Sequence, residues 1–95
     1  VLKEMLFMDI STWAPEHRED ILKHFKELRP PAGVHVINQW VDLTGGRFFI
    51  LYEAESSEAY AAFNLPWSDV CKIDSVPVME ATEFIKHMLE RGIKL

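Results

Sequence analysis

Residues 34–54 read VHVINQWVDLTGGRFFILYEA, two runs rich in Val, Ile, Trp and Phe separated by Gly45-Gly46. β-branched and aromatic residues suit a pleated, half-buried surface, and paired glycines supply the positive backbone angles of a tight turn, so the stretch predicts a β-hairpin. With Gly45 and Gly46 as the two turn residues, Thr44 faces Arg47, Asp42 faces Phe49, Trp40 faces Leu51 and Asn38 faces Glu53. Side chains alternate along a strand, so Ile37, Val41, Leu43, Phe48 and Ile50 share one aliphatic face suited to helices, with His35 on the same side. Val36, Trp40, Phe49 and Leu51 lie on the other face with Asn38 and Glu53, a mixture expected of a lined cavity or a subunit interface. Neither face is polar enough for both to be in water.

Outward from the hairpin, Lys3–Ile10 (KEMLFMDI) predicts a first, inner strand, with Met5, Phe7 and Asp9 on one face and Leu6, Met8 and Ile10 on the other. Pro15 suits the first turn of a helix, and Ile21, Leu22, Phe25 and Leu28 recur at helical spacing until Arg29-Pro30-Pro31, which predicts a helix over about residues 15–28. After the hairpin, Ser56-Ser57-Glu58 predicts a cap and a short helix ended by Pro66. Val70–Val78 predicts a last strand, held to a sheet edge or a bulge by Pro77 because proline cannot donate to a ladder. A final helix, capped by Thr82 and closed by Gly92, carries Phe84, Ile85, Met88 and Leu89 along one side. The order is strand, helix, strand, strand, helix, strand, then an extra helix. It predicts an α+β, ferredoxin-like βαββαβ domain over residues 1–95, with a core at about 5–80 and a carboxy-terminal helix at about 82–92. Two helices cover only one face of a four-stranded sheet. The bare face would hold Phe7, Val36, Trp40, Phe49 and Leu51, and a homodimer formed through it is the expected remedy.

Composition narrows the function classes. The chain has 95 residues, 48% apolar and 26% charged, enough for one core and unlike a disordered chain. Ten Lys and Arg against fifteen Asp and Glu leave a net charge of −5 and no basic stripe to track phosphates, so nucleic acid is not an expected partner. No apolar run reaches the ~20 residues that cross a bilayer, no secretory signal pattern opens the chain, and no membrane partner is expected. Val1 in place of an initiator methionine points to a chain trimmed at its start or numbered after loss of a leader. A lone cysteine, Cys71, excludes an internal disulfide framework and suits a cytoplasmic setting.

Four segments carry a resemblance: MLFMDISTW (5–13), INQWVDL (37–43), RFFILYEAES (47–56) and WSDVCKIDSVPVME (67–80). In this order they are similar to a family of short uncharacterised bacterial and archaeal domains of the dimeric α/β-barrel superfamily. The resemblance implies a ferredoxin-like fold and a face-to-face dimer with a cavity between the sheets. It transfers no functional residue. Fold relatives include cofactor-independent monooxygenases, haem-handling enzymes, isomerases and ligand-sensing domains, so analogy supplies only a menu.

No segment carries a catalytic or cofactor motif, and no cofactor is expected. With the first and third strands taken as parallel neighbours, Asp9 and Glu53 fall at one end of the sheet beside Asn38, where two carboxylates could raise each other's proton affinity and serve as acid or base. The bland alternative is two solvated strand ends. Trp40, Phe49, Phe7 and Asn38 are the candidate ligand-binding residues, since small-molecule sites are mostly apolar with a few polar groups. Trp67 reads as core. His17, Asp20 and His24 share one flank of the first helix, more in keeping with a solvated surface than a metal site, and Cys71 reads as an inert buried thiol. The expected function is binding of a small organic ligand in the inter-sheet cavity. The alternative is a cofactor-independent monooxygenase or isomerase acting on an aromatic or quinone-like substrate.

Overall fold

The computed structural model describes residues 5–94, so Lys3 and Glu4 of the expected first strand lie outside the described residues. Four strands, β1 (Met5–Thr12), β2 (Val34–Val41), β3 (Arg47–Ala54) and β4 (Lys72–Val78), form one sheet in the order β2-β3-β1-β4. Three helices follow the chain order: α1 (Arg18–Lys26), entered through a 3-10 turn at Pro15–His17, α2 (Ser57–Asn64) and α3 (Ala81–Glu90). This is an α+β fold of ferredoxin-like arrangement. β4 is an edge strand, which accommodates Pro77.

Local chemistry explains the boundaries. The Ser56 side chain accepts from the Ala59 N–H at 3.1 Å and opens α2. The backbone N–H of Gly92, a residue with φ +77°, donates to the Leu89 carbonyl and closes α3. At its start α3 departs from expectation: Glu80 is the cap residue, and Thr82 donates its hydroxyl proton to the Glu80 carboxylate.

The hairpin differs from its expected pairing in two ways. Gly45 and Gly46 both have positive φ, but they belong to a four-residue loop, Leu43–Gly46, organised by Asp42. Asp42 Oδ1 accepts from the Thr44 N–H at 2.9 Å and the Thr44 hydroxyl at 2.7 Å, and Oδ2 accepts from Arg47 Nε at 2.8 Å. An aspartate that bonds the backbone two residues on builds its own turn, and here that turn lengthens the loop. Trp40 therefore stands opposite Phe49, and Asn38 opposite Leu51 rather than Glu53. The second difference is a bulge between Val36 and Asn38. One inserted residue reverses every side chain before it. Val36, expected beside Trp40, turns to the helix side opposite Tyr52, while His35 turns to the open side opposite Glu53.

The helix side of the sheet is the core. Phe48, Ile50, Tyr52, Ala54 and Phe63 are buried there, and the Ile21 side chain of α1 is wholly buried. The Phe25 ring stacks on Phe48 with centroids 3.8 Å apart and meets Trp67 at 5.4 Å and Trp13 at 5.7 Å, so Trp67 is a core contact as expected. Ile37, Val41 and Leu43, expected under helices, are exposed, Leu43 because it sits in the loop rather than on a strand. Phe7 also departs from expectation: it lies on the helix side, its ring 5.7 Å from Tyr52 and 5.1 Å from Tyr60.

Candidate functional site

Every pair in the sheet is antiparallel, β1 with β3 included. The expected parallel β1–β3 pairing, and the carboxylate pair built on it, are therefore corrected. Asp9 stands opposite Ile50 on the helix side, whereas Glu53 stands opposite Leu6 on the open side. The reason is topological: the chain crosses over from β1 through α1 to a β2 that runs the same way, and β3 returns from β2 by a hairpin, so β3 runs against both.

Cross-strand partners share a face, so register and burial together define the open side as four rows. Trp40, Phe49, Ile10 and Asp74 form one; Asn38, Leu51, Met8 and Val76 the next; His35, Glu53, Leu6 and Val78 the third. Arg47, Thr12 and Lys72 close the end nearest Trp40. Eight of these side chains are large and apolar. Trp40 and Val76 are each 44% exposed, and among the described residues α3 has no buried side chain. Of the candidate ligand-binding residues, the structure brings Asn38, Trp40 and Phe49 together here and sets Phe7 on the opposite side.

Asp9 occupies a different environment. It is 2% exposed, and its Oδ1 accepts the Tyr52 phenol at 2.9 Å and the Ser75 hydroxyl at 2.6 Å. Asn64 Nδ2 donates to the Tyr52 oxygen at 3.1 Å and to the Tyr60 carbonyl at 3.1 Å, tying the network to α2. Burial raises the Asp9 carboxyl above its ordinary range, against the pull of the Ser75, Tyr52 and Asn64 hydrogen bonds. Burial also pushes the Tyr52 phenol well up. Asp9 therefore holds its proton more firmly than a surface aspartate.

Ser75 and Asn64 also line a cleft of about 290 Å³ between the end of α2 and β4, together with Tyr60, Leu65, Ser68 and Ile73. Cys71 also lines it, with its thiol 3.4 Å from the Trp67 carbonyl, and burial raises its pKa, so it stays a protonated, inert thiol. Among the described residues no group of three or more His, Cys, Asp or Glu is placed to hold a metal, and His24 packs against the Trp67 ring at 4.9 Å.

Sequence reasoning missed Tyr52, Asn64 and Ser75. Its one available signal was Asp9 and Ser11 alternating with apolar residues in an inner strand, because a buried carboxyl demands donors. Which side chains supply them depends on β3 and β4, and on α2 behind them, all distant in the chain.

No helix among the described residues is long and apolar enough to cross a membrane. Neither curated proteins nor solved structures provide a match to this chain. The profile of DUF3303, a domain of unknown function, matches residues 5–92, nearly the whole length, and the chain belongs to that family.

Proposed function

We propose that the protein is a homodimeric small-ligand-binding module in which two sheets meet open face to open face, as in the dimeric α/β barrels. The organic ligand lies between them, against Trp40, Phe49 and Asn38. The observation that carries this reading is the row of Trp40, Phe49 and Ile10 above that of Leu51, Met8 and Val76, a contiguous apolar surface on the side the helices leave bare. Patches of this kind mark interfaces or ligand surfaces. The helix α3 adds a second surface for the partner to cover, since it has no buried residue and Phe84, Ile85 and Leu89 stand about half exposed. Asn38 and Glu53 supply the few polar contacts that orient a ligand in an otherwise apolar space.

Sedimentation velocity tests the pairing. The native chain is expected at twice its monomer mass, and Leu51→Glu, which sets a charge in the middle of the face, as a folded monomer. A native chain that stays monomeric at high concentration ends this reading. A thermal-shift screen with small aromatic acids and quinones tests the ligand class, since binding to the folded state alone raises the transition temperature. Trp40→Ala is expected to abolish the shift.

A further inference from the structure

The cleft between α2 and β4 has a hydrogen-bonding character that can be read from where its protons go. Asn64 has two amide protons, and its Nδ2 donates to the Tyr52 oxygen and to the Tyr60 carbonyl. The Ser75 hydroxyl proton goes to Asp9 at 2.6 Å, and the Ser68 hydroxyl proton to the Leu65 carbonyl at 2.8 Å. The Cys71 thiol faces the Trp67 carbonyl. These four side chains have spent their donors on the protein, which leaves the Asn64 carbonyl and the Ser75 and Ser68 oxygens as acceptors. The Tyr60 phenol is the remaining donor of the lining. Behind the acceptors sits the Asp9 carboxyl, bonded to Ser75 and adding negative rather than positive potential. The rest of the lining, Leu65, Ile73, Ala61 and the Tyr60 ring, is apolar.

We propose that this cleft is a binding site for a small molecule with an apolar body and a hydrogen-bond-donating head, an alcohol or a primary amine, and that it rejects carboxylates. The volume fits: a dry apolar cavity of roughly 150 Å³ takes a benzene ring, and about 290 Å³ takes a ring with a short substituted arm. A head that donates meets acceptors already held in place by their own bonds to Asp9, Tyr52 and Leu65. An anionic head meets oxygen lone pairs and an acidic chain. The site is on the helix side of β4, so it requires no dimer and does not rest on the sheet-face reading.

The test is a titration of the full-length ¹⁵N-labelled protein, followed by NMR, with benzyl alcohol, benzylamine, toluene and benzoate as probes. Benzyl alcohol and benzylamine are expected to shift the Asn64 side-chain amide and the Ser75 backbone amide saturably. Toluene, which has the body without the head, is expected to bind at least tenfold more weakly, and benzoate to leave both signals in place. Equal response to benzoate and benzyl alcohol, equal affinity for toluene, or no saturable shift with any probe overturns the proposal. Ala61→Phe fills the cleft without touching its polar groups. As a folded variant it is expected to lose the benzyl alcohol response, and retention of that response also overturns the proposal. The toluene comparison needs no variant, so the test stands even if Ala61→Phe does not fold.

Discussion

The Tyr52 phenol reaches across the strand boundary to donate to Asp9 Oδ1 at 2.9 Å, although neither residue is the other's partner in the sheet. Tyr52 pairs with Phe7 and Asp9 with Ile50, so the bond is a diagonal on the helix side. It joins the most deeply buried aromatic of the core to its only buried carboxyl among the described residues.

That placement sets a pH dependence. Burial raises the Asp9 carboxyl above its ordinary 3.8. A group raised on folding contributes its full stability below the unfolded value, and the contribution is lost as pH rises through the folded one. Asp9→Asn keeps an oxygen acceptor for Tyr52 and Ser75 and removes the titration. It is expected to be more stable than the native protein at pH 7, by on the order of 1 kcal/mol. In a domain this small that is a rise of roughly 4–8 °C in transition temperature. The gain is expected to shrink as pH falls towards ~4. Thermal unfolding across that pH range checks it, and Asp9→Asn less stable at pH 7 would show that the ionised form is the one the network holds.

Asp42 behaves in the opposite sense. Hydrogen bonds from Arg47 and then Thr44 hold its carboxyl at about 2. A lowered group contributes stability above its unfolded value, here 3.8, and loses it as pH falls through about 2. Carboxyl NMR titration is expected to show this low value in the native protein. It should move towards the ordinary range in Arg47→Gln, with the Thr44 amide resonance following the same titration.

Two glycines with the same backbone angle predict different outcomes. Gly33 and Gly46 both have φ of +86°, where a side chain costs ~1–2 kcal/mol. A Cβ on Gly33 would also come within 3.0 Å of the Ala59 Cβ and 3.2 Å of Glu55 Oε2, while one on Gly46 meets nothing within 4 Å. In urea denaturation Gly33→Ala is expected to lower the midpoint clearly more than Gly46→Ala. Equal losses would mean that α2 yields to the added methyl group.

Ile21 is the one residue of α1 that is wholly buried. Truncation to Ala removes three buried carbons and leaves a hole beneath α1, at a cost of about 2–5 kcal/mol. Against a total of ~5–15 kcal/mol for a domain, that is a large share. Leu22→Ala, one position away on the exposed side, is expected to change the urea midpoint little.

The arrangement of elements was legible in the amino-acid order because it depends on local signals: the run of β-branched and aromatic residues, Ser56 as a cap, Pro66 just past the end of α2, Pro77 on an edge strand, and Gly92 at a helix end. The open side of the sheet was legible in part for the same reason, since Trp40, Phe49, Leu51 and Asn38 keep their common face when the pairing slips by two residues. What depended on register and on distant partners was not. One bulged residue at Ile37 reversed Val36 and His35, and Asp42 lengthened the turn by capturing Thr44 and Arg47. The hairpin return of β3 then parted Asp9 from Glu53. The hydrogen bonds to Asp9 come from residues 43 and 66 positions further along the chain, Tyr52 and Ser75, and Asn64 of α2 braces the Tyr52 oxygen. Alternation along a strand is a property of the chain itself, but the choice of which neighbour meets a buried carboxyl is made only when the whole sheet and α2 close over it.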